Sequence, residues 1–172
     1  MHETSTQYCL KIFMYRNIRN MSRRLIIMRH AKSSWKYPDL TDHERPLNKR
    51  GIRDSPKIAR HLSNLGWIPD KILVSSSRRT LETMEGLVTV FGTIPYEVRP
   101  GIYHASLVDL IKELGILQEA TTMIIGHNPG SELLVQYLSQ SWHQMPTATA
   151  VLLFEEDNKW KIFQAIRPKE IK

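Results

Sequence analysis

Two histidines that follow apolar segments are the residues best suited to chemistry in this chain. His30 comes directly after Arg29 and the apolar run 25–28, and His127 lies in the segment GHNPG after a second apolar run. An imidazole can act as a nucleophile or as a proton carrier near neutral pH. The residues after His127 lead into an amphipathic stretch whose first backbone N–H groups are free to receive an anion. The two segments predict a pocket built from distant parts of the sequence.

A third segment adds arginines to this pocket. The sequence KILVSSSRRTLETMEGL again has an apolar run, a polar loop and a helical pattern, with Arg78 and Arg79 where the helix is expected to begin. A guanidinium group stays charged and can bind two oxygens of one phosphate. Three strand ends that carry imidazole and guanidinium groups therefore indicate a phosphate site.

The order of the segments predicts the fold that brings these residues together. Short apolar runs alternate with amphipathic stretches, which is typical of an α/β fold, and ligands bind at the carboxyl ends of its parallel strands. The expected fold is a three-layer sandwich with a mainly parallel sheet and helices on both faces. The last two strands flank Glu156-Asp157-Asn158 and resemble a hairpin, which gives the sheet an antiparallel C-terminal edge. We predict strands near 24–28, 70–75, 95–99, 121–126, 148–155 and 159–166, and helices near 48–65, 77–91, 106–117 and 130–139.

Pro56 falls inside the first predicted helix. A proline there removes one backbone hydrogen bond, and the preceding Asp54 and Ser55 are favourable residues at the start of a helix. We therefore expect this helix to restart or kink near Pro56.

Four segments in the same order resemble one family, the histidine phosphatase superfamily, and within it the small SixA-type phosphohistidine phosphatases. They are RHAKSSW (29–35), DHERPLNKRG (42–51), VSSSRRTLET (74–83) and GHNPG (126–130), and the resemblance extends over roughly residues 24–167. Four ordered segments are much more specific than any one of them alone.

The resemblance implies a role for each catalytic residue. His30 would be the nucleophile, with Arg29 beside it as a phosphate ligand, and the second histidine of the family corresponds to His127. The second arginine of the family is followed four residues later by threonine, which selects Arg79 rather than Arg78. The positive charges would keep His30 unprotonated near neutral pH, and the scheme needs no metal and no cofactor. A lone histidine after a strand is more often a structural residue, so the assignment depends on all four segments.

Four further residues are candidates for substrate binding. They are Lys32, Ser34, Arg45 and Asn128, which lie in the loops of the matched segments. The segment DHERPLNKRG is expected to close over the site before the first helix. Exposed loop polarity is the alternative explanation for these side chains, and exposed ion pairs in such a loop would contribute only about 0–1 kcal/mol.

The residue that protonates the leaving group is open. Many members of the family use a carboxylic acid near the third strand, and the segment YEVRPGIYHAS has no clear counterpart. Possible donors are Asp42, His43 and His104, with Tyr103 as a further possibility. A poor acid fits a phosphohistidine substrate, because the imidazole that leaves has a conjugate acid with a pKa of roughly 6.5. The resemblance therefore implies a phosphatase that forms a phosphohistidine intermediate and acts on phosphohistidine in proteins.

Three other functions stay open. The first is a phosphatase of small phosphomonoesters or phosphoserine proteins, and the second is a module that recognises phosphate without catalysis. The third is nucleic-acid binding, which the formal charge of +7 suggests. No long basic stripe remains once the proposed phosphate pocket is set aside, so we do not expect a nucleic-acid partner.

Length and composition predict one catalytic domain. The chain has 172 residues with 41% hydrophobic content, and its single cysteine, Cys9, allows neither a disulfide framework nor a cysteine-based metal site. We expect residues 1–20 to be an extension with little structure, translation to begin at Met21, and the domain to span 21–172. The first residues include no apolar stretch long enough for a membrane helix, although a transit peptide is conceivable. We predict a cytoplasmic protein with a phosphorylated partner, and make no prediction of oligomeric state.

Overall fold

A computed structural model describes residues 23–115 and 119–171. The predicted extension 1–20, the start at Met21 and Cys9 lie outside the described residues. The strands are β1 (Arg24–Arg29), β2 (Lys71–Ser75), β3 (Tyr96–Arg99), β4 (Thr121–Gly126), β5 (Ala150–Glu156) and β6 (Lys159–Ile166). The helices are α1 (Lys49–Asn64), α2 (Arg78–Phe91), α3 (Leu107–Leu114) and α4 (Gly130–Ser139), with short 3₁₀ turns at Asp42–Glu44, Pro100–Ile102 and Pro168–Glu170.

The six strands form one mixed sheet in the order β3-β2-β4-β1-β5-β6. Strands β3, β2, β4 and β1 pair in parallel, whereas β5 pairs antiparallel with both β1 and β6. The predicted α/β fold, with a mainly parallel sheet and an antiparallel C-terminal edge, is therefore confirmed.

Alternating residues of the strands fill two cores, one on each face of the sheet. In β1, Ile26 and Met28 pack with Leu62 of α1 and Leu87 of α2. The intervening residues of β1 face the other side, where Leu110 of α3 and Leu134 of α4 contribute to the second core. The period of two along a strand thus gives both faces of the sheet an apolar surface, and each face is covered by two helices. The predicted three-layer sandwich is confirmed.

Pro56 does not make helix α1 restart, because α1 is one helix from Lys49 to Asn64. Its buried positions lie on both sides of the proline, including Ser55 before it and Ile58 after it, so packing maintains a single helix despite the missing N–H. Asn48 caps the helix by accepting a hydrogen bond from the N–H of Gly51 (3.0 Å).

Two predicted elements are shorter in the structure. Strand β5 begins at Ala150 rather than 148, because Ala148 has a φ of 62°, which is incompatible with a strand. The helix predicted for 106–117 is described from Leu107 to Leu114, and 116–118 lie outside the described residues. Ser106 caps this helix through a hydrogen bond from the N–H of Asp109 (3.3 Å).

The carboxyl ends of three neighbouring strands meet at one edge of the sheet. Strands β2, β4 and β1 are adjacent, and Arg29 at the end of β1 pairs with Gly126 at the end of β4. The N–H of His30 then donates to the carbonyl oxygen of Gly126 (3.0 Å). Helix α2 begins three residues after β2, so its first turn reaches the same edge. Within the described ranges, no helix is long and apolar enough to cross a membrane.

Candidate active site

His30 stands at the centre of this edge with a defined tautomer. Its side chain is buried, with 8% of the residue exposed, and Nδ1 lies 2.7 Å from the carbonyl oxygen of Ala31. A carbonyl oxygen only accepts hydrogen bonds, so Nδ1 carries the proton and Nε2 carries the lone pair. Nε2 accepts a hydrogen bond from Nε of Arg79 (3.3 Å). The nitrogen that could attack a phosphoryl group is therefore the one that faces the guanidinium.

Arg79 connects the two histidines. Only 4% of this residue is exposed, and besides His30 it donates from Nη2 to Nδ1 of His127 (3.3 Å) and to Oδ2 of Asp42 (2.9 Å). Nη1 donates to the backbone carbonyl of Asp42. The neighbouring Arg78 points away and pairs with Glu82 on the surface (2.7 Å). Of the two arginines, the structure brings only Arg79 to the histidines.

His127 lies beside His30 at the end of β4. The two ring centroids are 5.1 Å apart, and Nε2 of His127 is 2.8 Å from Oγ of Ser75 at the end of β2. Because Nδ1 accepts from Arg79, Nε2 carries the proton and donates to Ser75. In this tautomer the lone pair of Nδ1 of His127 faces the guanidinium group of Arg79, which also contacts Nε2 of His30.

Arg29 and Asn128 form the wall next to β5. Arg29 donates from Nη1 to the carbonyl of Met145 (2.9 Å), and Asn128 donates from Nδ2 to the same carbonyl (3.1 Å). Nε of Arg29 and Oδ1 of Asn128 are buried and make no hydrogen bond with any of the residues that the structure describes. Both residues line the cavity that contains the histidines.

Asp42 and Arg45 bring the segment after β1 to the cavity, where Asp42 contacts Arg79. The Asp42 carboxylate accepts hydrogen bonds from Nη1 of Arg45 (2.9 Å), Nη2 of Arg79 and the hydroxyl of Tyr103 (2.9 Å). Burial opposes its ionised form, but the hydrogen bonds from Tyr103 and Arg45 and the charge of Arg79 outweigh this effect and hold the pKa of Asp42 well below its usual range. Asp42 is therefore an anion at neutral pH.

His104 completes the rim of the cavity. Its ring is stacked with that of His127, with centroids 5.9 Å apart, and its Nε2 lies 3.4 Å from Oδ2 of Asp42. His104 has a φ of 51°, a conformation that is uncommon for residues other than glycine. Its side chain is largely exposed and also lines the cavity, so it contacts both the cavity and solvent.

The remaining predicted residues divide between the cavity and its supports. Lys32 and Arg45 line the cavity. Ser34 does not line it, because its hydroxyl accepts from the N–H of Lys36 (3.2 Å) and its carbonyl accepts from Nε of Arg45 (3.1 Å). His43 also lies outside the cavity lining, with Nε2 2.9 Å from Oγ of Ser76. Ser34 and His43 are therefore placed to support the loops.

Two contacts hold the loop after β1 in place. The hydroxyl of Thr83 donates to the carbonyl of Arg79 (2.6 Å) and accepts from the N–H of Ala31 (3.0 Å), so it links the arginine to the residue after His30. Helix α1 approaches the same loop at Gly51, where a Cβ atom would lie 2.4 Å from the carbonyl oxygen of Lys32. A side chain at position 51 would displace this loop.

Three residues at the site were not assigned from the sequence. Trp35 and Thr147 line the cavity, and Ser75 contacts His127. Trp35 is 75% exposed, and its ring stacks on the guanidinium of Arg45, whose Cζ is 3.2 Å from the ring centroid. Trp35 lies in the matched segment RHAKSSW, so the sequence could have indicated that it is close to the site. Thr147 lies in no motif, and the sequence offers no such indication.

The cavity at the histidines has a volume of about 220 Å³. A larger groove of about 1040 Å³ lies beside the loop 36–40 and contains neither histidine, so we assign the chemistry to the smaller cavity. In residues 23–115 and 119–171, no group of three or more His, Cys, Asp or Glu side chains is arranged to hold a metal ion.

Burial and positive charge lower the pKa values of both histidines. Burial, followed by the charges of Arg79 and Arg29, lowers the pKa of His30 to about 4, although its hydrogen bond to Ala31 opposes the shift. Burial, followed by the proximity of His30 and Arg79, lowers the pKa of His127 to about 2. Both imidazoles are thus neutral near pH 7.

The lowered pKa of His30 predicts a loss of stability in acid. Above pH 6.5 a histidine is unprotonated in both the folded and the unfolded chain, so it adds no pH dependence. As the pH falls from 6.5 towards 4, the unfolded chain takes up a proton that folded His30 does not, and the free energy of unfolding should fall by on the order of 2 kcal/mol. Denaturant unfolding across this range would measure it. His30→Asn should show a shallower decrease, and an equal decrease in both proteins would contradict the lowered pKa.

Comparisons with known proteins show what this chain is similar to. The family model of the histidine phosphatase superfamily (branch 1) matches residues 25–110. An uncharacterised chloroplastic protein of Arabidopsis thaliana is 37% identical over 154 residues, which cover 83% of this chain and 71% of that protein. The structure of the protein histidine phosphatase SixA complexed with tungstate has a TM-score of 0.79 at 22% identity, covering 87% of this chain and 99% of that one. A mycobacterial glucosyl-3-phosphoglycerate phosphatase has a TM-score of 0.62 at 17% identity, covering 83% and 98% of the two chains.

Proposed function

Because the chain belongs to the histidine phosphatase superfamily, we propose that it removes phosphoryl groups from phosphohistidine in proteins, with His30 as the nucleophile. Family membership supports a phosphatase. The observation that carries the mechanism is the hydrogen bond from Nδ1 of His30 to the Ala31 carbonyl, which leaves the lone pair of Nε2 beside Arg79. That the chain acts like the SixA-type branch of the family is part of the proposal, because the similarity to the solved SixA structure shows only that the two proteins share a fold.

In the first step, Nε2 of His30 attacks the phosphorus atom and the bond from phosphorus to the substrate nitrogen breaks. The substrate imidazole takes the bonding electron pair and leaves in its neutral form, with a proton on its other ring nitrogen. Arg29, Arg79 and His127 hold the nonbridging oxygens, which carry the negative charge of the transition state. The incoming phosphoryl group takes the place of His30 and Asp42 as a partner of Arg79. Its charge favours protonation of His127, whose Nδ1 then donates to an oxygen.

In the second step, water attacks the phosphohistidine intermediate, the bond between phosphorus and Nε2 breaks, and inorganic phosphate leaves. The proton that water loses goes to an oxygen of the departing phosphate, and His30 regains its neutral form with its own proton still on Nδ1. The protein side chains supply the positive charge that the transferring group needs, so the scheme requires no metal or cofactor.

The groups around the cavity favour phosphohistidine as the substrate. The acidic residue at the rim, Asp42, is held as an anion by Tyr103, Arg45 and Arg79, and is a poor proton donor in that state. An alkoxide is a strongly basic leaving group and needs an efficient proton donor. Imidazole is a much weaker base, because its conjugate acid has a pKa of roughly 6.5, so it can leave without such a donor. Among the three predicted donors, His104 is the one that lies at the rim with an exposed imidazole.

Phosphate release from two peptides tests the proposal. We expect the protein to dephosphorylate a phosphohistidine peptide at least about 100-fold faster, in kcat/KM, than a phosphoserine peptide of the same sequence, because only the second needs an efficient general acid. Activity should persist in EDTA. Faster release from phosphoserine would replace the proposal by a phosphomonoesterase, and no release from either peptide would favour a phosphate-binding module. A large loss in EDTA would contradict the metal-free scheme.

A phosphomonoester substrate is the second candidate, and the pair formed by His104 and Asp42 favours it. A protonated His104 would form an ion pair with Asp42 and could donate its proton to an ester oxygen. The mycobacterial phosphatase of the same fold acts, by its name, on such an ester.

Replacing His104 tests whether it donates this proton. In a series of phenyl phosphates with leaving groups of graded acidity, His104→Ala should reduce kcat by about 100-fold for the poorest leaving group and by much less for the best. His43→Ala is the matched control, because His43 contacts Ser76 instead of the cavity. A loss of the same size for every leaving group would show that His104 only supports the structure.

The extent and the location of the active protein remain predictions. We propose that residues 21–172 carry the activity, since the residues that line the cavity lie between Arg29 and Thr147. We also propose a cytoplasmic location, while the Arabidopsis relative is a chloroplastic protein. Fluorescence microscopy of the full chain with a C-terminal fluorescent tag would distinguish the two locations.

A further inference from the structure

A second cavity adjoins the catalytic one and is strongly basic. It has a volume of about 520 Å³ and lies between α1 and the C-terminal segment. Five basic side chains and one acidic side chain, Asp54, line it. The basic residues are Arg50, Arg53, Lys57, Arg167 and Lys169. We call this cavity the basic cleft.

The basic cleft and the catalytic cavity share a wall. Thr147 lines both cavities, and Nη2 of Arg50 donates to its hydroxyl (3.1 Å). A polypeptide whose phosphorylated side chain enters the catalytic cavity can therefore continue past Thr147 into the cleft. Neither His30 nor the other proposed catalytic residues line the basic cleft, so its charge does not serve the phosphoryl transfer itself.

Contacts within the cleft hold several of its cations in position. The carboxylate of Asp54 is almost completely buried and lies 2.9 Å from Nη2 of Arg53 and 3.9 Å from Nε of Arg50. Lys57 donates from Nζ to the carbonyl of Ile171 (2.8 Å), which joins α1 to the C-terminal segment. Asp54 lies between two guanidinium groups, and Arg167 pairs with Glu170 (3.0 Å). Two carboxylates thus face five basic side chains, so positive charge remains uncompensated at the cleft.

We infer that the basic cleft binds acidic residues next to the phosphorylated residue of the protein substrate. This inference rests on the proposed function, because it concerns the partner of the same catalytic site. Guanidinium groups match the planar geometry of carboxylates, and the overall charge of +7 attracts an acidic partner at long range. A single-stranded nucleic acid is a poorer match, because the described residues that line the cleft include no aromatic side chain on which a base can stack.

Two phosphohistidine peptides and one small substrate provide the test. The peptides have the same sequence except that the residues on both sides of phosphohistidine are glutamate in one and glutamine in the other. The small substrate is phosphoramidate, which has the same type of bond to phosphorus but no residues to reach the cleft. We expect kcat/KM to be about tenfold higher for the glutamate peptide than for the glutamine peptide, because charges at the rim of an interface mainly change the association rate.

Lys169→Glu should remove the preference for the glutamate peptide and leave the turnover of phosphoramidate unchanged. Lys112→Glu is the matched control, since Lys112 is also an exposed lysine but lies on α3, across the sheet from α1. Arg53→Gln should reduce the preference without reversing a charge. Equal rates for the two peptides in the parent protein, or an equal loss in Lys112→Glu, would overturn the inference. The thermal unfolding midpoint of each variant shows whether it is folded.

A direct binding measurement separates this inference from the proposed function. A fluorescent glutamate peptide without phosphate should bind the parent protein more tightly than Lys169→Glu, as measured by fluorescence anisotropy. If no substrate is turned over but this difference is present, the phosphatase proposal fails and the basic cleft is still an acidic-peptide site. No binding, or displacement of the peptide by polyuridine at a lower concentration than by unlabelled glutamate peptide, would overturn the inference.

Discussion

Replacing His30 by alanine is expected to lower the rate of phosphate release by at least about 10⁴-fold. The substitution removes Nε2, the only protein atom in the scheme that forms a bond with phosphorus. Phosphate release from the phosphohistidine peptide, measured for the parent and for His30→Ala, is the direct comparison. The intermediate supplies a second measurement: after rapid quenching, mass spectrometry should find a phosphoryl group on His30 of the parent and none at position 30 of the variant.

The control for His30→Ala is its fold. The side chain is buried and accepts a hydrogen bond from Arg79, so the variant loses some packing, and its circular dichroism and unfolding midpoint must be recorded. His30→Asn is a second variant, because its side-chain amide can still donate to the Ala31 carbonyl while no nucleophilic nitrogen remains. Turnover that survives in a folded variant would assign the nucleophile elsewhere.

Arg79→Lys is expected to reduce kcat by about 100- to 1000-fold, even though it keeps the positive charge. Arg79 contacts His30, His127 and Asp42 through three nitrogens, and a lysine ammonium cannot reproduce this planar arrangement. The same substitution should weaken the binding of inorganic phosphate. Single-turnover rates and inhibition by phosphate are the two measurements.

Arg78→Lys is the matched control for Arg79→Lys. The two arginines are neighbours in the chain, but Arg78 is exposed and pairs with Glu82 at the surface. We expect Arg78→Lys to retain the parent rate within about twofold, because exposed ion pairs contribute little. Comparable losses in the two variants would show that the first turn of α2, rather than the guanidinium of Arg79, determines activity.

The sequence predicted those residues of the site that lie shortly after the ends of strands. His30, His127 and Arg79 each follow a short apolar run, and the carboxyl ends of parallel strands must meet at one edge. Their convergence could therefore be expected without coordinates. The choice of Arg79 rather than Arg78 came from the family resemblance, and the structure gives its physical basis, because only the second arginine of the pair faces the buried side of α2.

Contacts between distant loops could not be predicted in this way. Thr147 reaches the cavity from the segment before β5, and no local sequence pattern predicts that this residue lines the cavity. The hydrogen bond between Tyr103 and Asp42 joins two loops whose separation in space depends on the whole sheet. At Pro56 the local signal for a restart of the helix was outweighed by burial along one face of α1, which is one helix from Lys49 to Asn64.

The hydrogen bond between Asp42 and Arg79 has a consequence for product release. The carboxylate of Asp42 occupies a donor of Arg79 when no phosphate is bound, and it is held at the rim by Tyr103 and Arg45. After hydrolysis, the same carboxylate can replace inorganic phosphate on the guanidinium, so the empty site is not left as an uncompensated positive pocket. Affinity for the free product is thereby reduced relative to a site without this internal anion, and inhibition by accumulated phosphate should be correspondingly weak.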